Sequence, residues 1–442
     1  MEMILPKGWV QTKLFDAVIS VPTNVKKYEG VKKYYSTGSI SHEIIEEGEY
    51  DFNSKPSRAK REVLENDILQ ARMKNTNKAF LIDKKYENEL FSTGFLQLRP
   101  LKNTILSKYI FYYLNSSVFL NQKDELSTGA TQQSINDANA GKLDFPLPPL
   151  AEQERIVAKL DTLFAQHELM KKALDRIPQV LKDFRQQVLT QAVTGKLTEQ
   201  WREGKDLKEW KEEEIENLLI KKGIFDGPFG SNLKTEDYSD IGEVRVVRLE
   251  NIDTLSFIDS KKVFITEEKF NSLKRHEVFE NDIIFSSFIS EKIRACILPF
   301  SNEKRIAKAD CFCLRVDKEK MINEFLLYSL VNNTMYSKLL KETRGATRPR
   351  INTSILKKAT IKFPFLEEQQ EIVSRVESLF AKADAIEARY QTLKAKIESL
   401  PKALLHKAFK GELVPQLPTD GDAKDLIAEI MALKKEVKGK KK

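Results

Sequence analysis

Arginine and lysine recur beside amide and hydroxyl residues in two separated parts of this chain. The first part carries Lys55, Arg58, Lys60, Arg61, Arg72 and Lys74, followed by the stretch STGATQQSIN at 127–136. The second carries Arg245, Arg248, Lys292, Arg294, Arg344, Arg348 and Arg350. Cationic side chains pair with phosphates or with guanine edges, whereas Gln, Asn, Ser and Thr bond base edges or backbone. This is the chemistry of DNA reading, and Thr131 and Gln132 join the basic residues as candidate contacts. Taken one at a time, each reads more readily as a residue of a solvated loop.

Catalytic signatures are sparse. No GxxxxGK[ST] occurs, so a P-loop ATPase is unsupported. The glycines of DGPFGSN at 226–232 lack nucleotide-loop spacing and read as turns. An Asn-Pro-Pro-aromatic tetrapeptide and a glycine-rich strand-to-turn signature, which an amino-methyltransferase would carry, are also missing. Asp259, Glu267 and Lys269 loosely resemble a metal-nuclease set but lie in a stretch dense with charge. Cys311 and Cys313 lack the second ligand pair of a zinc site and read as core residues on a strand. His42 and His276 sit in polar loops, His406 near a helix end, and His167 on an apolar helical stripe without a base or nucleophile beside it in sequence. Neither a catalytic residue nor a metal ligand is assigned.

The elements that must carry the basic groups are announced by an internal repeat. Gly129-Ala130-Thr131 recurs 216 residues on as Gly345-Ala346-Thr347, Ile135-Asn136 as Ile351-Asn352, and Leu163-Phe164-Ala165 as Leu379-Phe380-Ala381. Asn66-Asp67-Ile68 resembles Asn281-Asp282-Ile283, and Leu98-Arg99 resembles Leu314-Arg315. The match is close over 128–197 and 344–413 and scattered upstream, so a constant part is joined to a variable one.

The constant part reads as a long helix. Ile156, Leu160, Leu163, His167, Met170, Leu174, Ile177, Leu181, Phe184 and Val188 follow one another in alternating steps of four and three. Ile372, Val376, Leu379, Ala383, Ile386, Tyr390, Leu393, Ile397, Leu400 and Leu404 repeat that register. Such a stripe is a coiled-coil seam. Proline segments, FPLPPLAEQ and FPFLEEQ, precede the helices, Gly195 and Gly411 follow them, and Pro178 and Pro401 predict a kink or break in each. About 40 helical residues would span roughly 60 Å. If the two helices pair they run antiparallel about an approximate twofold axis, holding the variable globules at opposite ends as inverted copies.

The globules show short β-type runs at 78–82, 94–98, 244–249, 282–288 and 311–316, with helical stretches at 107–120 and 323–340. Each is expected to be α+β. The 442 residues argue for several folded units, and Lys plus Arg (73) against Asp plus Glu (65) leave +8, a modest hint of a polyanionic partner. Three cysteines confined to one region suit reduced thiols in a cytoplasm. No apolar run approaches the roughly 20 residues of a membrane span, and the start MEMILPKGWVQ lacks the pattern of a signal peptide. A cytoplasmic protein without membrane contact is expected.

Together these motifs resemble the specificity subunit of type I restriction and modification enzymes across essentially the whole chain. They are LPKGW at 5–9, the GAT loop, PLPPLAEQERI at 146–156, IVAKLDTLFAQ, AVTGKL and KGEL at 410–413, most of them repeated once. FPFLEEQ departs from the pattern by lacking the double proline. The resemblance implies an α+β protein: target recognition domains at 1–148 and 201–364, conserved spacer helices at 149–200 and 365–414 pairing as an antiparallel coiled coil, and a basic tail at 415–442. It implies that each recognition domain binds one half of a split, asymmetric site on double-stranded DNA, with the helices as a ruler. It further implies two modification (methyltransferase) subunits docked on the helices and methylating adenine, with restriction (motor and nuclease) subunits joining for cleavage. The chain itself would be non-catalytic and hold no cofactor, while S-adenosylmethionine, ATP and magnesium would serve the partner subunits. Two other readings are a coiled-coil scaffold whose globules bind proteins without sequence-specific DNA recognition, and a self-contained metal-dependent nuclease.

Overall fold

The computed structural model describes residues 5–39, 47–101, 103–343 and 349–439. Two compact units emerge, one made of Met1–Asp175 with Thr392–Lys442 and the other of Arg176–Gln391. Each takes in parts of both long helices, so the compact units are not contiguous stretches matching globule and spacer.

The first unit opens with β1 (Val10–Lys13), α1 (Leu14–Ala17), β2 (Ile19–Ser20), β3 (Lys32–Tyr35), β4 (Gly48–Tyr50) and β5 (Ala59–Glu62). Next come β6 (Ile68–Ala71), β7 (Ala79–Leu81), β8 (Leu90–Ser92) and β9 (Phe95–Arg99). Then follow α2 (Ser107–Leu114), α3 (Ser117–Glu125), α4 (Asp137–Ala140), β10 (Asp144–Leu147) and α5 (Leu150–Leu174). The strands form two four-stranded sheets, ordered β2-β9-β6-β7 and β4-β3-β8-β5, and a β1-β10 pair.

The second unit repeats that plan. It runs α6 (Ile177–Val193), α7 (Glu199–Arg202), β11 (Lys211–Glu214), β12 (Leu219–Phe225), β13 (Val244–Val247), β14 (Phe264–Ile265), α8 (Glu267–Ser272) and β15 (Glu277–Val278). It continues with β16 (Ile283–Ser286), β17 (Ala295–Ile297), β18 (Lys304–Ala307), β19 (Cys311–Val316), α9 (Asn323–Val331), α10 (Asn333–Lys341), α11 (Thr353–Lys358) and β20 (Thr360–Phe363). Its sheets are ordered β12-β19-β16-β17 and β14-β13-β18-β15, with a β11-β20 pair. The chain ends with α12 (Leu366–Phe409), which begins in the second unit and ends in the first, and α13 (Ala423–Gly439).

Period-two alternation explains why the central strands read as continuous apolar runs. Ile68, Leu96 and Leu98 face α2 through Tyr109, Ile110 and Tyr113, while Leu69, Ala71 and Phe95 face a second core with Val63 and Phe91. In the second unit Ile283, Phe285, Phe312 and Leu314 take the helix side, and Ile284, Cys296, Cys311 and Cys313 the other. The cysteines are therefore core residues, with burial pushing the Cys296 thiol up to about 12. The repeated Asn-Asp-Ile motif also has a physical cause. Asn66 and Asn281 adopt φ of 70° and 68°, a left-handed turn that asparagine tolerates. The following Asp67 and Asp282 then accept two guanidinium hydrogen bonds each, from Arg99 and Arg315.

The helical stretches expected at 107–120 and 323–340 are each two helices. Ser116 and Asn332, at corresponding places, cap the second of each pair by accepting from the Phe119 and Met335 amides. Side-chain oxygens offered to free helical N–H groups outcompete continuation.

The long helices differ from one another. Pro178 stands in the first turn of α6, after a turn at Asp175–Arg176 that ends α5. Pro401 lies inside the uninterrupted α12. A proline there cannot donate to the carbonyl four residues back, which is that of Ile397. His167 of α5 supplies the missing donor: its Nε2 lies 3.0 Å from the Ile397 oxygen. Because a carbonyl only accepts, Nε2 carries the proton. The seam histidine and the proline are thus complementary, which the pattern of apolar spacing does not show.

Pairing is antiparallel within each unit. In the first, Arg155 near the start of α5 binds Asp420, beyond the end of α12, while His167 meets Ile397. In the second, Arg185 of α6 binds Asp384 and Glu387, and Arg202 reaches Glu368 near the start of α12. Most seam positions are buried, but Met170, Ile386 and Leu393 are 40%, 50% and 46% exposed. The first long helix also stops at Leu174 and restarts at Ile177, although Leu174 itself is buried.

The Glu-Gln pairs after the proline segments anchor each helix start. Gln153 accepts from the Leu106 amide and donates to the Pro148 carbonyl, and Gln369 does the same with Ile322 and Pro364. Glu152 accepts from the Trp9 indole. The corresponding Glu368 accepts from Arg202, Thr198 and Trp210. LPKGW and PLPPLAEQ are therefore two halves of one buried joint.

Candidate nucleic-acid interface

In both units the basic loops converge on one set of turns, built from the same backbone hydrogen bonds. In the first, the Arg58 carbonyl accepts from Thr93, the Gly94 carbonyl from Arg72, and the Arg72 carbonyl from Ile135. Lys74 and Gln133 add a further backbone bond, and Met73 bridges to Ser134. The GAT loop is thereby held against the β6–β7 turn, leaving Thr131 and Gln132 exposed. In the second unit the Asp310 carbonyl accepts from Ser287, the Ser287 carbonyl from Ile351, and Phe288 bridges to Arg350. Position by position, Gly94 corresponds to Asp310, Arg72 to Ser287 and Ser134 to Arg350.

The candidate residues divide into those that face solvent and those that do not. Arg58 and Lys60 are exposed, and the Lys55 ammonium lies 4.2 Å from the Phe52 ring centre. Lys74 is half-buried. Lys292 is exposed beside Asp253, and Arg248 pairs with Glu250. Arg350 binds Asp310 and stacks on Phe288. Arg348, with Arg344, lies outside the described residues.

Arg61 and Arg245 stand on strands β5 and β13, the latter inside the β-type run expected at 244–249, and both are only 2% exposed. Arg61 donates to the Val21 carbonyl. Desolvation, reinforced by nearby Arg72, pushes its guanidinium down to about 10. Arg245 pairs with Asp259. On β5 strand alternation turns Arg61 inward beside exposed Lys60, whereas all four residues of β13 are buried, Arg245 with them. Arg72 and Arg294 are structural in their present contacts. Arg72 ties the Phe95 and Ile135 carbonyls to Asp137, and Arg294 ties Leu249 to Ser286.

Several neighbours of the candidate Arg248 escaped sequence reading. Arg248, Glu250, Lys308 and Asp310 line a cleft of about 260 Å³. Asp226, in the DGPFGSN turn, accepts from the Gly227 and Asp310 amides, and burial raises its carboxyl to about 6. Gly227 is required there, because a Cβ would fall 2.1 Å from the Lys308 carbonyl carbon. The repeat was the available signal, since aligning Gly94 with Asp310 brings these turns together. Asp259, Glu267 and Lys269 are engaged separately, by Arg245, Lys304 and Asp237. Among the described residues no group of His, Cys, Asp and Glu could hold a metal ion, and no helix is long and apolar enough to cross a membrane.

The sequence pattern of the family described as "Type I restriction modification DNA specificity domain" matches residues 13–179 and again 210–397. The chain is 32% identical over 329 residues to the specificity subunit of the type I restriction enzyme EcoKI of Escherichia coli K12, covering 72% of this chain and 68% of that one. It is 33% identical over 337 residues to the StySPI specificity subunit of Salmonella potsdam, with the same coverage. Among solved structures, the HsdS subunit of Thermoanaerobacter tengcongensis shares the fold, with a TM-score of 0.64 at 20% identity over 92% of this chain and 98% of that one. A chain from a type I restriction-modification system solved for complex assembly and conformational transition gives 0.66 at 20% identity, over 93% and 100%.

Proposed function

This chain belongs to the type I restriction-modification DNA specificity family and is a specificity subunit, and from that premise we propose how its parts divide the work. Each unit reads one half of a bipartite, asymmetric site on double-stranded DNA through the turns that hold the GAT loop against the β6–β7 hairpin in the first unit and residues 349–351 against the β16–β17 hairpin in the second. The observation that carries this is the repetition of one turn framework in both units with different side chains on it: Thr131, Gln132 and Lys74 in one, Arg350, Lys308 and Lys292 in the other. A constant framework with changed side chains is what two readers of different half-sites require.

The paired helices set the gap between half-sites and dock two modification subunits that methylate adenine. Restriction subunits join for cleavage. S-adenosylmethionine, ATP and magnesium belong to those partners, and the whole works in the cytoplasm. This chain contributes selection and positioning, with phosphate contacts making affinity salt-dependent and base contacts each worth about 1–3 kcal/mol per good bidentate pair. A gel-shift assay at moderate salt with the reconstituted complex tests the reading. One duplex sequence class, matched to the adenines methylated in the host genome, is expected to bind preferentially. Equal binding of all duplexes would instead fit a protein scaffold.

A further inference from the structure

The two units carry an arginine at different places on their shared turn framework. In the first unit Arg72 is turned inward onto the Phe95 and Ile135 carbonyls, and the residue at the outer position is Ser134. In the second unit the inner position is Ser287 and the outer one is Arg350. Asp310 stands where the first unit has Gly94, so the acid and the outer arginine occur together in one unit and neither occurs at these places in the other.

Asp310 is itself firmly held. Its amide donates to Asp226 Oδ1 at 2.9 Å, its carbonyl accepts from the Ser287 amide, and its Oδ1 accepts from Ser287 Oγ at 3.0 Å. The same Oδ1 binds Arg350 Nη2. Phe288, across the bridge from Arg350, places its ring centre 5.6 Å from the guanidinium carbon. The Arg350 side chain is still 45% exposed, against 22% for Asp310. A carboxylate on one nitrogen and a ring beside the group leave the planar fork fewer orientations to lose when it meets its acceptors. By charge alone an acid on this surface repels DNA, and its removal would tighten binding. We propose that Asp310 does the opposite: it is a positioning residue that holds Arg350 in the orientation in which its guanidinium meets the half-site of the second unit. The first unit, with Gly94 and Ser134 at these places, reads its half-site without this pair. The inference rests on the reader assignment proposed above and adds to it the group that fixes one of its contacts.

Asp310→Asn is the informative change. Asparagine tolerates the left-handed φ of 72° at this position and can still accept from Ser287, but it lacks the charge that holds Arg350. The probe is a duplex carrying the bipartite site, taken from the methylated sites of the host genome, titrated with the reconstituted complex. Asp310→Asn is expected to weaken its binding by about three- to tenfold, the scale of one long side chain left to be ordered on binding. Asp310→Gly, which installs the first unit's residue, is expected to do the same. In an Arg350→Ala background Asp310→Asn is expected to leave affinity unchanged or to raise it. Mapping of modified sites in cells carrying Asp310→Asn is expected to show relaxed sequence in one half-site only, the half that Arg350→Ala also relaxes. Three results would overturn the proposal: Asp310→Asn binding as tightly as the wild type or more so, an equal loss in the Arg350→Ala background, or relaxation of both half-sites. A wild-type complex that binds all duplexes alike would instead defeat the reader assignment, and this inference with it, so the two failures are told apart.

Discussion

A guanidinium contributes to DNA affinity according to whether it stands at the surface or inside. Arg58 and Arg350 are exposed on the turns that join loop to hairpin, whereas Arg61 is enclosed on β5 with its charge directed at a main-chain carbonyl. Replacing Arg58 or Arg350 by alanine is expected to weaken binding of the assembled complex and to lower the salt slope of log K by about 0.9 for each phosphate left without its cation. Arg61→Ala is expected to leave that slope unchanged. Titrations at several salt concentrations check this, and equal slope changes in all three variants would remove the distinction. Residue types were legible as DNA-reading chemistry, but their direction was not. Composition does not say which of Lys60 and Arg61, neighbours on one strand, points outward.

Elements are held together here by polar joints that apolar periodicity does not register. Pro401 leaves the Ile397 carbonyl without a helical donor, and His167 fills it from α5. His167→Ala is expected to strand a buried acceptor and to cost roughly 1–3 kcal/mol. In a Pro401→Ala background, where the backbone N–H is restored, the same change is expected to cost clearly less. A double-mutant cycle on thermal or denaturant stability measures the difference, and equal costs in both backgrounds would show that the pairing contributes nothing. The buried joints at the helix starts belong to this scale too. Glu368 is enclosed by Arg202, Thr198 and Trp210, while Glu152, with fewer partners, has its carboxyl raised by burial.

The whole molecule is one plan used twice, and its consequences appear in the spacing of the sites it reads. If the helices set that spacing, inserting a heptad into one long helix is expected to change the gap tolerated between half-sites. Mapping methylated sites in cells carrying the variant checks this, and an unchanged gap with retained modification would exclude a ruler role. The duplication is not exact, since α13 packs into the core of the first unit and, among the described residues, no helix of the second unit repeats it.

The linear order of residues was enough to establish the repeat, the helical registers, the core cysteines and the family. Each depends on local spacing or on identity between two stretches of the same chain. Tertiary structure alone decided that Arg61 and Arg245 turn inward, that the expected single helices break at Ser116 and Asn332, and that His167 answers Pro401. Those outcomes depend on which hydrogen-bonding groups are brought together from distant segments, and a buried donor or acceptor is satisfied by whatever the fold places beside it.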